Sequence, residues 1–457
     1  MSEVTTAPVD PGSLIRSRQY RILLVFAAVI GVVVSLASWG FLELVHAIQV
    51  WVYTDLPGDV GYDTVPAWWP LPWLALAGLL TAFAIQRLPG HGGHVPAEGL
   101  KTGGAPTQPI ELPGVMLAAL ATLGLGLVLG PEAPLIALGL GLGILAIRLA
   151  RKDAPQQVVG VMAAAGSFAA ISTIFGSPVI GAVIIIEAAG LAGPTLPVVL
   201  LPGLLAAGFG SLVFIGMGNW TGLSTSAWAL TPFPLPPFSQ PGWGDFGWTI
   251  AVGIAAAAVV FGILELAKLT TRFVSRRPFV LTMAAALVVG GLAIAFNQAT
   301  DRPVDTVLFS GQDAFASVLK DASTLSISTL TLLLVFKGLA WSVSLGNFRG
   351  GPTFPALFLG LVGGLLASHL PGFSETAAVA VLMGAGCVSV LKLPLSSVVI
   401  ALLLTSKAGL GVAPLIIVGV AAAYITTEVL SARRVSVADA PAPLGAEAAA
   451  ATRPAPG

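Results

Sequence analysis

Two ten-residue segments, Gly130-Pro-Glu-Ala-Pro-Leu-Ile-Ala-Leu-Gly139 and Gly351-Pro-Thr-Phe-Pro-Ala-Leu-Phe-Leu-Gly360, share five identical positions at an offset of 221 residues. The same offset pairs Val161-Met-Ala-Ala-Ala165 with Leu382-Met-Gly-Ala-Gly386. Two matches in one register indicate an internal duplication. Interrupted hydrophobic segments at matching places of two halves are typical of a binding site at the bilayer midplane. The repeat therefore predicts both the architecture and the position of a site.

The composition places most of the chain in lipid. Of its 457 residues, 56% are apolar and 9% are charged, against roughly 45–50% and about 25% in soluble domains. The 21 Lys and Arg residues balance the 21 Asp and Glu residues, so no strongly basic face indicates a nucleic-acid partner. The single cysteine, Cys387, excludes an intrachain disulfide and a multi-cysteine metal site. We therefore expect a multi-pass membrane protein.

Apolar stretches recur along the chain, and several have only about 10–17 residues, although a helix needs about 20 residues to cross the hydrocarbon of a bilayer. Gly or Pro rather than charged loops separates the short stretches, which predicts an all-α bundle with broken and re-entrant helices. The predicted stretches are approximately 22–50, 70–86, 112–129, 133–150, 157–174, 178–192, 196–217, 247–270, 278–296, 324–345, 354–368, 377–390, 394–405 and 412–430.

The distribution of Lys and Arg predicts the orientation, because cytoplasmic loops hold the excess of cations. Cations cluster before the first stretch, at 148–152, at 272–277 and at 433–434, whereas the linkers 51–72 and 218–247 have none. We expect both termini in the cytoplasm and the protein in the inner (plasma) membrane of a bacterium. The predicted units are a cytoplasmic segment 1–20, a transmembrane domain 21–430 with repeat halves at about 21–217 and 247–430, and a disordered cytoplasmic tail 431–457 without CBS domains.

Each repeated Gly-Pro segment has the pattern of a helix start. Glycine allows close approach of the backbone, and proline fits the first helical position, where its missing N–H costs nothing. If both starts lie at the midplane, two sets of unpaired N–H groups and two positive dipole ends converge into an anion site made of backbone. The alternative is that both are helix starts packed against protein.

Glu132 follows the first Gly-Pro pair in an otherwise apolar stretch. An ionised carboxylate at the bilayer centre costs about 2.5–3.5 kcal/mol on insertion scales, so an intramembrane glutamate is a functional candidate. A helix N-terminus reduces that cost by about 0.3–2 kcal/mol. Such a carboxylate competes with a bound anion, and its protonation removes the competition, which predicts a pH-sensitive gate. The alternative is a helix-capping acid in a protein-buried corner.

These residues resemble the motifs of the CLC family of chloride channels and proton/chloride exchangers over roughly residues 20–430. Gly130-Pro-Glu-Ala-Pro134 is similar to the family's Gly-Lys/Arg-Glu-Gly-Pro motif, Arg349-Gly-Gly-Pro-Thr-Phe-Pro355 to Gly-Gly-x-Phe-x-Pro, and Gly92-Gly-His-Val-Pro96 to Gly-Ser-Gly-Ile-Pro. The resemblance implies an inverted-repeat helical fold, a homodimer with one pore per subunit, and chloride passing helix N-termini. It makes Glu132 the gating glutamate and implies anion-binding positions at Gly93, His94, Val95, Pro96, Gly130, Pro131, Ala133, Gly350, Gly351, Thr353 and Phe354.

The sequence departs from these motifs at the anion ligands. Gly93 stands where the family motif has a serine whose hydroxyl binds the anion. Pro352 has no N–H, which leaves the amide of Thr353, and the Thr353 hydroxyl is a candidate replacement ligand. Pro131 replaces the usual basic residue. The sequence does not decide between chloride, nitrate, bromide and fluoride.

The candidate proton path also departs from the family. Exchangers carry an inner proton-transfer glutamate, and the aligned residue here is Ala188, with Glu187 one position earlier. One residue along a helix turns a side chain by about 100°, so Glu187 is not a direct substitute. The pore tyrosine has no clear counterpart, and Tyr424 is the nearest tyrosine. We therefore expect passive or weakly proton-coupled anion flow, with a proton/chloride antiporter as the alternative.

A remote alternative is an intramembrane metal-dependent enzyme that uses His91, His94 and Glu98. These residues lie in a Gly/Pro loop and not on one face of a helix, as in His-Glu-x-x-His sites. We therefore predict no metal, no cofactor and no enzymatic activity. Lys337 lies inside an apolar run, where it could pair with a carboxylate or attract anions.

Overall fold

The structure, a computed structural model, describes residues 11–98, 106–193, 196–221, 230–312 and 314–438. These residues form helices and, apart from one isolated bridge, no β-structure. The helices are α1 (Pro11–Arg16), α2 (Arg18–Val50), α3 (Leu56–Asp59), α4 (Pro70–Arg87), α5 (Leu112–Gly124), α6 (Glu132–Ala150), α7 (Gln156–Phe175), α8 (Pro178–Ala188), α9 (Leu196–Thr221), α10 (Trp243–Val274), α11 (Pro278–Thr300), α12 (Ala314–Lys320), α13 (Ile327–Asn347), α14 (Thr353–Ala367), α15 (Glu375–Leu391), α16 (Pro394–Leu404) and α17 (Ala413–Ala438).

The bundle contains both long and short apolar helices. Within the described ranges, eight helical segments are long and apolar enough to cross a membrane, and five apolar segments have only 10–17 residues. The short segments include α8, α14 and α16. A helix of 11 residues such as α8 rises only about 16 Å, roughly half the thickness of the hydrocarbon. The prediction of a membrane bundle with broken helices is confirmed.

The packing of the first half recurs in the second half. α6 lies along α7, and α14 lies along α15. Gly139 and Gly143 of α6 make the close approach in the first pair, and Gly360 and Gly364 occupy the equivalent positions of α14, 221 residues later. A Cβ atom at any of the four would come within 2.6 Å of backbone atoms of the neighbouring helix. Small residues four apart let membrane helices touch through their backbones, so the duplication extends to the packing.

The two halves run in opposite directions through the bundle. Tyr53, just beyond the end of α2, packs edge-on against Phe309 with ring centroids 5.0 Å apart. Tyr53 also lines a small cavity with Asn297, near the end of α11. The ends of α2 and α11 therefore lie at the same end of the bundle, so these helices run in the same direction. Because only a short turn separates α10 from α11, α10, which begins the second half, runs opposite to α2, which begins the first.

The core of the bundle surrounds α14 and α15. Every residue of α15 from Thr376 to Leu391 is buried, and so are nearly all residues of α14. Helices that are apolar on all sides take such fully surrounded positions. The start of α14 therefore lies within protein and away from the lipid.

The linker 218–247 contacts the bundle through the amides of Phe233 and Phe238, which donate to the carbonyls of Leu404 and Ala408, at 2.7 and 2.8 Å. The last helix continues to Ala438, beyond the predicted boundary at residue 430, and its Ala and Arg residues favour helix. The rest of the predicted tail, from residue 439, and residues 1–10 of the predicted N-terminal segment lie outside the described residues.

Candidate functional site

The starts of α6 and α14 meet inside the bundle. Gly130 and Gly351, which occupy equivalent positions of the two halves, form an isolated antiparallel bridge. The Gly130 amide donates to the Gly351 carbonyl at 2.7 Å, and the Gly351 amide donates to the Gly130 carbonyl at 2.5 Å. Reciprocal bonding between equivalent residues is the pairing that a local two-fold axis produces. The two predicted helix starts are thus brought together as the duplication requires.

The side chain of Glu132, a residue of the first half, contacts the second half. Its side chain is fully buried, and its Oε1 atom accepts the backbone N–H of Thr353, the first residue of α14. The carboxylate also faces the amide of Phe354. Its Oε2 atom has no hydrogen-bond partner among the described residues. An acid of one half thus occupies the positive end of a helix of the other half.

Two glycines provide the space for this carboxylate. A Cβ atom at Gly351 would lie 2.0 Å from Cδ of Glu132, and one at Gly130 would lie 2.2 Å from its Oε2 atom. A side chain at either position would therefore require the Glu132 carboxylate to move. Phe354 also borders the space, and its ring stacks on Phe175 with centroids 5.8 Å apart. The cavity around the carboxylate is therefore closely fitted to it.

Prolines limit the number of donors at the two helix starts. The third residue of each helix, Pro134 in α6 and Pro355 in α14, has no N–H. Two first-turn amides remain in α14, those of Thr353 and Phe354, and Glu132 takes the first of them. The Thr353 hydroxyl is buried and faces the Glu132 carboxylate, but its geometry gives no hydrogen bond with the described residues. The helix start therefore offers one hydroxyl to a further ligand, beside an amide that is already engaged.

The first motif lies beside the helix starts and is held by Arg349. Gly90, His91, Gly92 and Gly93 all have positive φ angles, between 49° and 90°, so the loop turns in the left-handed region that favours glycine. Arg349 reaches this loop and donates through Nε and Nη2 to the His91 carbonyl, both at 3.4 Å.

The remaining residues of this motif lie in the same loop. His94, Val95 and Pro96 follow Gly93 and lead into a short 3₁₀ turn at Pro96–Glu98. Arg349 is a contact of this loop that was not predicted from the sequence. The available signal was a cation directly before Gly350 and Gly351 in an apolar region.

Glu187, the candidate for a proton path, caps a different helix. Its carboxylate accepts the amide of Leu395 at 2.9 Å, the amide of Ser396 at 2.7 Å and the Ser396 hydroxyl at 2.6 Å. These donors form the start of α16. The buried Cys387 thiol lies within the electrostatic reach of both Glu187 and Glu132. Glu187 thus links α8 to the start of α16 through three hydrogen bonds.

Lys337 is buried and binds backbone carbonyls. Its ammonium donates to the carbonyls of Thr306, Val307 and Leu308, at 3.0, 3.1 and 2.9 Å, and lies 4.4 Å from the centre of the Phe358 ring. Burial raises the pKa of the nearby Asp305 carboxyl, and the Lys337 charge opposes that shift. All three ammonium donors are used within the protein. Lys337 therefore fastens the segment after α11 to the core.

A metal centre finds no support in this geometry. Across the described ranges, no three His, Cys, Asp or Glu side chains lie close enough together to hold a metal ion. His91, His94 and Glu98 are all within those ranges. The proposed trio of ligands therefore does not assemble.

Comparison with known proteins gives one consistent family. The family model described as "Voltage gated chloride channel" matches residues 73–428. The putative ion-transport protein YfeO of Escherichia coli (strain 55989 / EAEC) is 30% identical over 369 residues, which cover 78% of this chain and 81% of that protein. YfeO of Shigella boydii serotype 4 matches with the same identity and coverage.

Solved structures share the fold. A slow cyanobacterial Cl⁻/H⁺ antiporter superposes with a TM-score of 0.70 at 20% identity, covering 89% of this chain and 94% of the other. A CLC-type fluoride/proton antiporter gives 0.69 at 17% identity, with 89% and 95% covered. A eukaryotic CLC transporter gives 0.69 at 16% identity, with 90% and 73% covered. At these identities the likeness concerns the arrangement of helices.

Proposed function

The chain belongs to the voltage-gated chloride channel (CLC) family, and from this premise we propose that it moves chloride or a similar small monovalent anion past the start of α14, with Glu132 as the gate. The observation that carries the proposal is the Glu132 carboxylate on the Thr353 amide. A carboxylate and a chloride ion carry the same charge and seek the same donors. The side chain thus occupies the place of the transported ion.

Displacement of Glu132 is the opening step of this mechanism. Protonation removes the negative charge of the carboxylate, and with it the stronger, charge-assisted part of its hydrogen bond, which is worth about 1.5–3 kcal/mol. When the side chain leaves, the amides of Thr353 and Phe354 and the Thr353 hydroxyl become available to an anion. Neutral dipoles attract the ion without trapping it, and conduction requires release. Pro355 lowers the number of amides and so favours release.

We propose that the flow is passive or weakly coupled to protons. An exchanger needs an inner group that takes up and gives away protons at ordinary pH. Glu187 already accepts three hydrogen bonds at the start of α16, so its carboxylate would have to leave these donors to carry a proton. Ala188 next to it cannot titrate. The alternative, a proton/chloride antiporter, is favoured by the position of Cys387 within reach of both Glu132 and Glu187.

Reconstituted vesicles test the function and separate these two modes. Chloride-loaded vesicles that contain the purified protein should release chloride faster than chloride-loaded vesicles without protein. The same assay with nitrate, bromide and fluoride gives the selectivity. A chloride gradient that drives no proton movement indicates passive flow, and uphill proton movement indicates antiport. Absence of flux for all four anions, in protein that is folded and monodisperse, would refute the proposal.

The assembly and the orientation are further parts of the proposal. We propose a homodimer with one pathway in each subunit, on the grounds of family membership, and a multi-pass protein of the inner membrane with both termini in the cytoplasm, on the grounds of the Lys and Arg distribution. Stepwise photobleaching of labelled protein in vesicles counts the subunits. Protease access from one side of oriented membrane vesicles locates the termini.

A further inference from the structure

Two cations within the bundle are buried, and their hydrogen bonding differs. The Lys337 ammonium has three donors and binds three carbonyls. Its hydrogen bonds are therefore complete. Arg349 is 9% exposed, and its hydrogen bonds are incomplete.

The contacts of Arg349 leave part of its guanidinium unused. Nε and Nη2 donate to the His91 carbonyl, and Nη1 donates to the Phe348 carbonyl at 3.1 Å. A guanidinium has five N–H groups, so these bonds to the described chain engage three of them. One N–H on Nη1 and one on Nη2 remain for another acceptor.

The charge of Arg349 is also without a close partner. No carboxylate of the described residues forms an ion pair with it, and the acid whose field reaches it, Glu98, is exposed to solvent. Buried arginines are normally paired, because burying a charge alone is costly. An anion from solution would supply both the missing charge and the missing acceptor.

Arg349 lies between the two motifs that carry the predicted anion ligands. Its Cγ atom would be 3.3 Å from a Cβ atom on Gly92, next to Gly93, the position without the serine hydroxyl. Its backbone leads through Gly350 and Gly351 to Thr353. Arg349 comes directly after α13, which ends at Asn347, and it contacts the loop that follows α4. An anion on Arg349 would therefore lie close to the start of α14, where the Glu132 carboxylate is bound.

We propose that Arg349 is an anion ligand that replaces the hydroxyl missing at Gly93 and forms a second binding position on the pathway. The inference rests on the proposed anion transport and deepens it. The ligand class is a small monovalent anion, held by two N–H groups and a fixed positive charge. Because a guanidinium does not lose its proton at accessible pH, this position is charged under all working conditions.

Chloride titration calorimetry on detergent-purified protein tests this role in a Glu132→Gln parent, in which the gate carries no charge. Arg349→Gln in that parent should weaken chloride binding by about tenfold, the loss expected for a hydrogen bond to a charged group. Arg148→Gln, which removes an exposed cation at the end of α6, is the matched control and should leave the affinity unchanged. Unchanged affinity in folded Arg349→Gln protein would overturn the inference and leave the proposed function intact, since the parent still binds and transports chloride.

Arg349→Lys keeps the test decisive if Arg349→Gln does not fold. A buried lysine can lose its proton, whereas arginine does not. Chloride affinity of the lysine variant should therefore fall between about pH 8 and pH 10, while that of the parent stays level. The titratable groups that face this position are Glu98 and His91. A level profile in the lysine variant would overturn the inference, and a parent without chloride binding or flux would refute the proposed function itself.

Discussion

Glu132 and Thr353 occupy equivalent positions of the two inverted halves, and the carboxylate of the first accepts the backbone N–H of the second. The duplication thus places an acid at one helix start and the amide that donates to it at the other. A symmetric pair of acids would repel each other, and a symmetric pair of threonines would leave the site without a gate. The difference between positions 132 and 353 is therefore what makes the paired helix starts suitable for regulated transport.

Replacement of Glu132 by Gln should abolish the pH dependence of anion flux. In the wild type, flux should rise as the pH falls, because protonation of the carboxylate ends its competition with the anion. Glu132→Gln should hold flux near the acidic level at every pH, about tenfold above wild type at neutral pH if one charge-assisted hydrogen bond is lost. Chloride efflux from vesicles across a pH series measures this. Glu265→Gln, an acid paired with Lys268 on the surface, is the control, and a wild-type pH profile in Glu132→Gln would contradict the gate.

The Thr353 hydroxyl should contribute to anion affinity without contributing to stability. Thr353→Val keeps the backbone amide and the side-chain shape but removes the hydroxyl, so chloride binding should weaken by about three- to tenfold, the value of one hydrogen bond. The melting temperature should not fall, because the hydroxyl has no partner in the structure. Thr353→Ser should restore the affinity. Equal affinities in the Val and Ser variants would show that the hydroxyl is not a ligand.

Gly351→Ala should expel the Glu132 carboxylate from its place. The new Cβ atom would lie 2.0 Å from Glu132 Cδ, and overpacking of this kind costs about 1–3 kcal/mol of the free energy of unfolding. Flux should become insensitive to pH although the acid is still present. Gly363→Ala, in the same helix α14, is the matched control because its Cβ atom would meet only a side chain at 3.6 Å. Retention of the wild-type pH profile by folded Gly351→Ala protein would contradict this account.

Glu187→Gln should lower the melting temperature by weakening the start of α16. Loss of a helix cap costs about 0.5–2 kcal/mol, and Ser396→Ala, which removes one of its three donors, should have a smaller effect of the same sign. If the flow is passive, neither variant changes proton movement under a chloride gradient, because there is none to change. Proton movement in the wild type that disappears in Glu187→Gln but persists in Ser396→Ala would instead identify Glu187 as part of a proton path.

Local sequence patterns predicted the helices and the place of the site well. The stretches 133–150 and 354–368 correspond to α6 and α14 within one residue at each end, because proline and glycine mark helix ends strongly. The duplication was visible because close packing of helices requires glycine at fixed spacings. These properties depend on near neighbours in the sequence.

Contacts between distant residues were beyond the reach of the sequence. The donor for Glu132 lies 221 residues away, and the partners of Glu187 lie 208 and 209 residues away. Arg349 and Lys337 bind carbonyls, which every residue possesses, so no side-chain pattern marks them. The available signal was a cation in an apolar stretch. This signal does not identify the groups that accept hydrogen bonds from the cation.

The reciprocal bond between Gly130 and Gly351 also limits how the protein can move. Many inverted repeats alternate access by rocking one half against the other. Here such a motion would break the two backbone hydrogen bonds that join the halves at Gly130 and Gly351. In the mechanism proposed above, the moving part would be the Glu132 side chain, which has a few rotatable bonds, and side-chain rotations are intrinsically fast. Turnover would then be set by the arrival of protons and ions, and cooling should slow it far less than it slows a transporter that reshapes its scaffold in every cycle.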